Sequence, residues 1–150
     1  MLTIKPVDPN QIEVMHLIEQ LDAYQSSLYP PASNHLDSID ELSKTSAFFL
    51  AAYFDSEICG IGSVKLLGEY GEIKRLYVPL NQRGKGIARA IIKELESHLI
   101  KQAVSYARLE TGIYQQAAIK LYETLGYCRI DPFGEYKADP LSVFMEKKLV

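Results

Sequence analysis

The residues best suited to chemistry lie in one run. Glu72-Ile73-Lys74-Arg75-Leu76-Tyr77-Val78-Pro79 reads as a strand, Leu80-Asn81-Gln82 as a short turn, and Arg83-Gly84-Lys85-Gly86-Ile87-Ala88-Arg89 as the opening of a helix. Glycine at positions 84 and 86 keeps side chains out of a ligand's way. The N–H groups that open a helix lack intrahelical acceptors and can point at an anion, whose charge the helix dipole favours. Arg83, Lys85 and Arg89 add positive charge at the same end. The chemistry predicted is phosphate binding.

Spacing narrows the phosphate. A dinucleotide fingerprint needs Gly-x-Gly-x-x-Gly, with an acidic residue roughly 20 positions later, but Arg89 stands at the third glycine. A Walker A loop needs Gly-x-x-x-x-Gly-Lys-Ser/Thr, a string the chain lacks. What does match is Arg-x-x-Gly-x-Gly/Ala behind a strand ending in Val, through Arg83, Gly86 and Ala88. This resembles the acyl-CoA signature of the GNAT family of N-acetyltransferases. A second stretch supplies Ala118, Leu121, Tyr122, Gly126 and Tyr127 in register with that family's Asn-x-x-Ala-x-x-Leu-Tyr-x-x-x-Gly-Phe/Tyr helix, with Gln115 where Asn is usual. The segment Pro132 to Pro140 is similar to that of a bacterial subgroup of mostly unassigned substrate.

The resemblance implies acetyl-CoA as co-substrate and no metal. Its pyrophosphate would rest on N–H groups from about Arg83 to Ala88, including those of Gly84, Lys85, Gly86 and Ile87, beside Arg89. Backbone groups of Leu76, Tyr77 and Val78 would pair with pantetheine, near Gln115, while a pre-aimed N–H polarises the thioester carbonyl. Tyr122 stands where many members protonate the leaving thiolate. Glu110 and Glu72 are the candidate bases for the attacking amine, with a water relay as the alternative. The acceptor pocket would draw on Tyr24, Tyr29, Tyr70, Glu135 and Tyr136, and the carboxylates Glu135 and Asp139 would suit a cationic amine. The activity implied is acetyl transfer to an amine of a small molecule, amino acid or peptide by direct attack in a ternary complex. The competing reading is a non-catalytic acyl-CoA sensor. A covalent acyl-enzyme is disfavoured, since Cys59 and Cys128 have no histidine at motif spacing.

The elements that must position these residues follow from capping and periodicity. Leu2 to Val7 reads as a strand. Asp8, Pro9 and Gln11 read as a capped helix start, with Ile12, Met15, Ile18 and Leu21 as its buried stripe, fading near Ala23. Tyr24 to His35 reads as a loop, and Ser38-Ile39-Asp40-Glu41 as a second capping box. Phe48 to Phe54 and Ile58 to Leu66 form a hairpin about Asp55-Ser56-Glu57, and Gly68 to Gly71 turns into the strand ending at Val78. A helix spans about Gly84 to Ala103, buried through Ile87, Ile91, Leu95 and Leu99. Strand Tyr106 to Thr111, helix Gln116 to Leu125, and strands Tyr127 to Ile130 and Ser142 to Leu149 complete the chain. This element order is similar to that of the GNAT family, and the resemblance implies an α+β fold: one N-acetyltransferase domain over residues 1–150, with a mixed, mostly antiparallel sheet of about seven strands, about four helices, and the fourth and fifth strands splayed.

At 150 residues the chain can bury a core of its own, without metal or disulfide. A net charge of −3 argues against a general nucleic-acid binder. Both cysteines read as buried hydrophobes. The start lacks the long apolar core of a signal peptide, and no run approaches a membrane span, so a cytoplasmic protein without membrane or nucleic-acid partners is expected. Acyl-chain preference, and whether the last strand supports a homodimer, are left open by these residues.

Overall fold

The structure is a computed structural model that describes residues 1–33 and 47–150. Seven strands form one sheet: β1 (Leu2–Pro6), β2 (Ala47–Phe54), β3 (Glu57–Leu67), β4 (Tyr70–Tyr77), β5 (Tyr106–Gly112), β6 (Cys128–Ile130) and β7 (Ser142–Lys148). Their order is β1-β2-β3-β4-β5-β7-β6. Every neighbouring pair is antiparallel except β4 and β5, which run parallel. The described residues form three α-helices: α1 (Ile12–Leu28), α2 (Ile87–Lys101) and α3 (Gln116–Thr124). The helix expected after Ser38 lies outside the described residues.

Side chains alternate across the strands, so each face of the sheet can take its own helix layer. Phe49, Ala51 and Ile61 meet Val14, Leu17 and Ile18 of α1 on one face. Leu50, Ala52, Val64, Ile73, Ala107, Leu109 and Met145 meet α2 and α3 on the other. The buried stripe of α2 includes the four expected positions, Ile87, Ile91, Leu95 and Leu99, and also Ile92. Missing Cβ atoms let α2 settle close. A Cβ on Gly62 would lie 2.6 Å from Ile91, and one on Gly71 2.3 Å from Leu99.

The first helix departs from expectation. Asp8 accepts the Asn10 backbone N–H at 2.9 Å, a local turn that delays the helix to Ile12. The buried stripe is Val14, Leu17, Ile18 and Leu21, whereas Ile12 is exposed. The helix also continues through Tyr24 to Leu28 instead of fading near Ala23. Ser27 bonds back to the Tyr24 carbonyl at 2.6 Å, so its hydroxyl is satisfied within the helix. Cys59 is buried as expected, and Cys128 is exposed.

Two irregularities open the sheet. The β3–β4 register slips between Ile61↔Tyr77 and Ser63↔Lys74, where Arg75 adopts φ +58, so β4 bends as a bulged strand does. The β4–β5 ladder runs only from Tyr70↔Tyr106 to Ile73↔Leu109. Beyond that point β5 pairs with β7 alone, out to Gly112↔Ser142. The two middle strands therefore part, as expected, and Leu76 to Val78 border the gap.

Candidate active site

A cleft of about 570 Å³ fills the gap, bordered by Leu76, Tyr77 and Val78 on one side and by Glu110, Thr111, Gln115 and Tyr122 on the other. Gly84, Gly86, Ile87, Ala88, Arg83 and Arg89 close one end. This loop differs from the expected first helical turn. Arg83 to Gly86 precede the helix, and Gly86 is its N-cap at φ +78. Gly84 takes φ +81, and a Cβ at either glycine would meet no protein atom within 4 Å. Backbone conformation, more than space, demands glycine here.

The loop leaves a run of backbone N–H groups that could receive an anion. The Arg83 N–H is already bonded to the Leu80 carbonyl at 3.3 Å, and the Ala90 N–H begins the helical ladder on Gly86. Among the described residues, the N–H groups between them, Gly84 to Arg89, meet no backbone carbonyl. This run of N–H groups begins one residue after the start of the expected cradle and extends to Arg89. The Arg83 side chain is partly occupied, its Nε donating to the Val78 carbonyl at 2.9 Å, which ties loop to strand end. Lys85 does not line the cleft. Its Nζ donates to Gln82 at 2.9 Å and stands 5.7 Å from the Phe54 ring.

Tyr122 lies at the vertex of the opening, on α3, packed edge-on to Tyr127 at 5.8 Å. Burial first, and the nearby Glu110 second, push its hydroxyl above the ordinary tyrosine value. It is held protonated at neutral pH, the state an acid must start from. Glu110 is half-buried and shares the cleft with it. Glu72 is buried, lines the same cleft, and accepts the Tyr136 hydroxyl, with Lys74 Nζ 3.7 Å away. Of the cationic partners that could have occupied Glu72, Lys74 does so, while Arg108 pairs with Glu146 at 2.7 Å and Arg75 with Asp22.

The proposed acceptor residues divide. Tyr24 and Tyr136 border the cleft. Tyr29 lies beneath it, buried, its ring stacked on Tyr114 at 5.5 Å. Its hydroxyl accepts the Tyr114 N–H at 3.1 Å and sits where a Cβ on Gly112 would be, 1.8 Å away. Desolvation is the largest cause raising its pKa. Gln115 accepts the Gly112 N–H at 3.2 Å, so its carbonyl oxygen is spent on bracing the turn. Tyr70 stands outside the cleft lining, under the Arg108 guanidinium at 4.4 Å and edge-on to Phe133. Glu135 is exposed and does not border the cleft. Tyr114, which does, was missed from sequence; its only signal is its place just before the motif helix.

No group of metal-ligating side chains gathers among the described residues, and no described helix is long and apolar enough to cross a membrane. The comparisons set this split sheet among acyltransferases. At TM-score 0.85 and 35% identity, it aligns over 100% of its length with 99% of a Klebsiella pneumoniae chain provisionally assigned as an acyl-CoA N-acyltransferase. A GNAT family acetyltransferase from Elizabethkingia anophelis, solved with acetyl-CoA bound, shares the fold at TM-score 0.73 and 18% identity, over 98% of this chain and 97% of that one. The sequence model of the acetyltransferase (GNAT) family matches residues 14–127, and the chain belongs to that family. It is 41% identical over 150 residues, 99% of itself and 98% of its relative, to the IAA acetyltransferase of Azospirillum brasilense. It is 32% identical over 149 residues, 97% of itself and 99% of its relative, to the uncharacterised N-acetyltransferase YsnE of Bacillus subtilis. The expectation of an acetyl-CoA-dependent N-acetyltransferase, as against a sensor, holds at the level of the family.

Proposed function

We propose that this chain, as one catalytic unit, moves the acetyl group of acetyl-CoA to an amine of a small molecule, amino acid or peptide, by direct attack in a ternary complex. The observation that carries the reading is the parting of β4 and β5 onto the glycine cradle, with Tyr122 and Glu110 at the vertex. The N–H groups of Gly84 to Arg89 would hold the pyrophosphate, and the edge of Leu76 to Val78 would pair with the pantetheine arm. The amine nitrogen attacks the thioester carbonyl carbon. As the N–C bond forms, a backbone N–H at the gap stabilises the oxygen's charge. The C–S bond then breaks, Tyr122 gives its proton to the thiolate, and the nitrogen loses its proton toward Glu110.

The 41% relative's name, an IAA acetyltransferase, supports acetyl transfer to a small molecule. A cytoplasmic location is a further part of the proposal, whereas β7 lies between β5 and β6, so the last strand sits inside the sheet and not at an edge open to a second copy. Thiol release from acetyl-CoA, screened over amines, amino acids and peptides, is expected to rise with at least one acceptor class. Tight acetyl-CoA binding without release from any acceptor would sink the catalytic assignment and leave a sensor.

A further inference from the structure

Glu72 is 5% exposed and still borders the cleft. Both of its described partners converge on one oxygen: the Tyr136 hydroxyl donates to Oε2, and Lys74 Nζ stands 3.7 Å from the same atom. Among the described residues, Oε1 accepts no hydrogen bond. It is not among the buried polar side-chain atoms that lack a partner, so the unbonded Glu72 Oε1 is an accessible acceptor on a residue that borders the cleft, free to take an N–H donor there.

Tyr136 is delivered to Glu72 by a well-packed wall. Phe133 is buried edge-on against Tyr70 at 5.4 Å, Tyr136 at 5.2 Å and Phe144 at 5.9 Å. Gly134 takes φ +60, and a Cβ there would lie 2.9 Å from the Tyr70 hydroxyl. The Tyr136 N–H closes the turn onto the Phe133 carbonyl at 3.1 Å. At the far end, Asp139 accepts Ser33 Oγ at 2.6 Å and the Leu141 N–H at 2.8 Å.

Glu110 occupies a different part of the same face. Glu72 is in register with Arg108, and Glu110 lies two residues further along β5, so strand spacing puts the two carboxylates' Cα atoms about 8 Å apart. Of the two, Glu110 acts electrostatically on Tyr122, at the reacting end.

We infer that the two carboxylates have separate tasks: Glu110 serves the reacting nitrogen, and Glu72 Oε1 anchors a second N–H group of the acceptor. The inference rests on the acetyl-transfer reading and deepens it. The acceptor class is then an amine with a further N–H donor several bonds from the reacting nitrogen, a diamine being the simplest case. Tyr136 is the positioning residue, holding Oε2 so that Oε1 faces the cleft.

Titration calorimetry of 1,5-diaminopentane and pentylamine into the whole chain saturated with coenzyme A tests this. The diamine is expected to bind about tenfold tighter or more, the worth of a hydrogen bond to a charged group. With Tyr136 donating to the amide oxygen, Glu72→Gln turns the cleft-facing atom from acceptor into donor, so it should abolish the preference. Glu110→Gln should keep it. Equal binding of the two amines by the unaltered protein overturns the inference, as does a preference surviving Glu72→Gln at unchanged Tm. In turnover, Tyr136→Phe should raise KM for the diamine several-fold at near-constant kcat; a fall in kcat at constant KM would overturn its positioning role. A preference in binding without thiol release from any amine leaves the anchor standing and refutes the transfer reading instead.

Discussion

The two ends of the cleft are made of different material. The end proposed to take the donor is backbone: N–H groups of Gly84 to Arg89 and the strand edge at Leu76 to Val78, contributed by one continuous stretch. The end proposed for the acceptor is lined by side chains, from α1 through Tyr24, β4 through Glu72, β5 through Glu110, the turn before α3 through Tyr114, and the late loop through Tyr136. A backbone site depends on φ and on helix geometry, and it tolerates many side chains. A side-chain site depends on which residues five separate elements bring together. On the proposed assignment, donor recognition can stay constant while acceptor choice changes by substitutions that leave the glycine loop alone.

Substitutions should separate the ends, and the largest effect is expected from Glu110→Gln. If Glu110 takes the proton of the attacking amine, kcat should fall about a hundredfold or more, with acetyl-CoA affinity unchanged by calorimetry. A loss confined to acetyl-CoA binding would move Glu110 to the donor side. Gly86→Ala should do the reverse: forcing an L residue to φ +78 costs about 1–2 kcal/mol. Acetyl-CoA affinity should weaken about tenfold through strain alone, since a Cβ there meets open space. An unchanged dissociation constant would mean the loop is not the cradle.

Tyr122→Phe is expected to slow thiol release by about tenfold, less than a base would, because a thiol is already a fair leaving group. Rates independent of Tyr122 would reduce it to a packing residue against Tyr127. The smallest effect lies away from both ends. His98 stacks on Phe48 at 3.8 Å, and desolvation, then Lys101, lower its pKa. The unfolded chain therefore takes up that proton more readily, so stability is full above about pH 6.5 and declines as pH falls through the folded value. His98→Gln should flatten this acid-side decline in thermal melts; an unaltered slope would place it elsewhere.

What the sequence disclosed follows the same division. The glycine loop was legible because left-handed backbone leaves a glycine at fixed places, and α2 because its apolar period is regular from Ile87 to Leu99. The first helix was misread because Ile12 and Met15 complete an apolar pattern as good as the one that packs. Only the neighbouring strands decide for Val14 and Leu17. The polar stretch from Tyr24 to Ser27 looked like a loop, yet contains no glycine or proline to end a helix. At the acceptor end, nothing in local sequence joins Tyr136 to Glu72, or Tyr29 to the notch at Gly112. Those contacts span 64 and 83–86 positions and exist only once the sheet is assembled. Glu135 and Tyr136 were both expected at the acceptor end, and only Tyr136 borders the cleft, while Glu135 is exposed.

The short ladder between β4 and β5 also bears on how the molecule opens. Four register pairs join β1-β2-β3-β4 to β5-β7-β6, against seven between β5 and β7. Only the join of the short edge strand β6 is thinner, and amides along Leu76 to Val78 should exchange with solvent sooner than those of β5. An extended ligand lying in the gap would act as a borrowed strand. Its binding should register as slowed exchange at these amides and as tighter cooperativity between the two half-sheets, as well as a raised melting temperature.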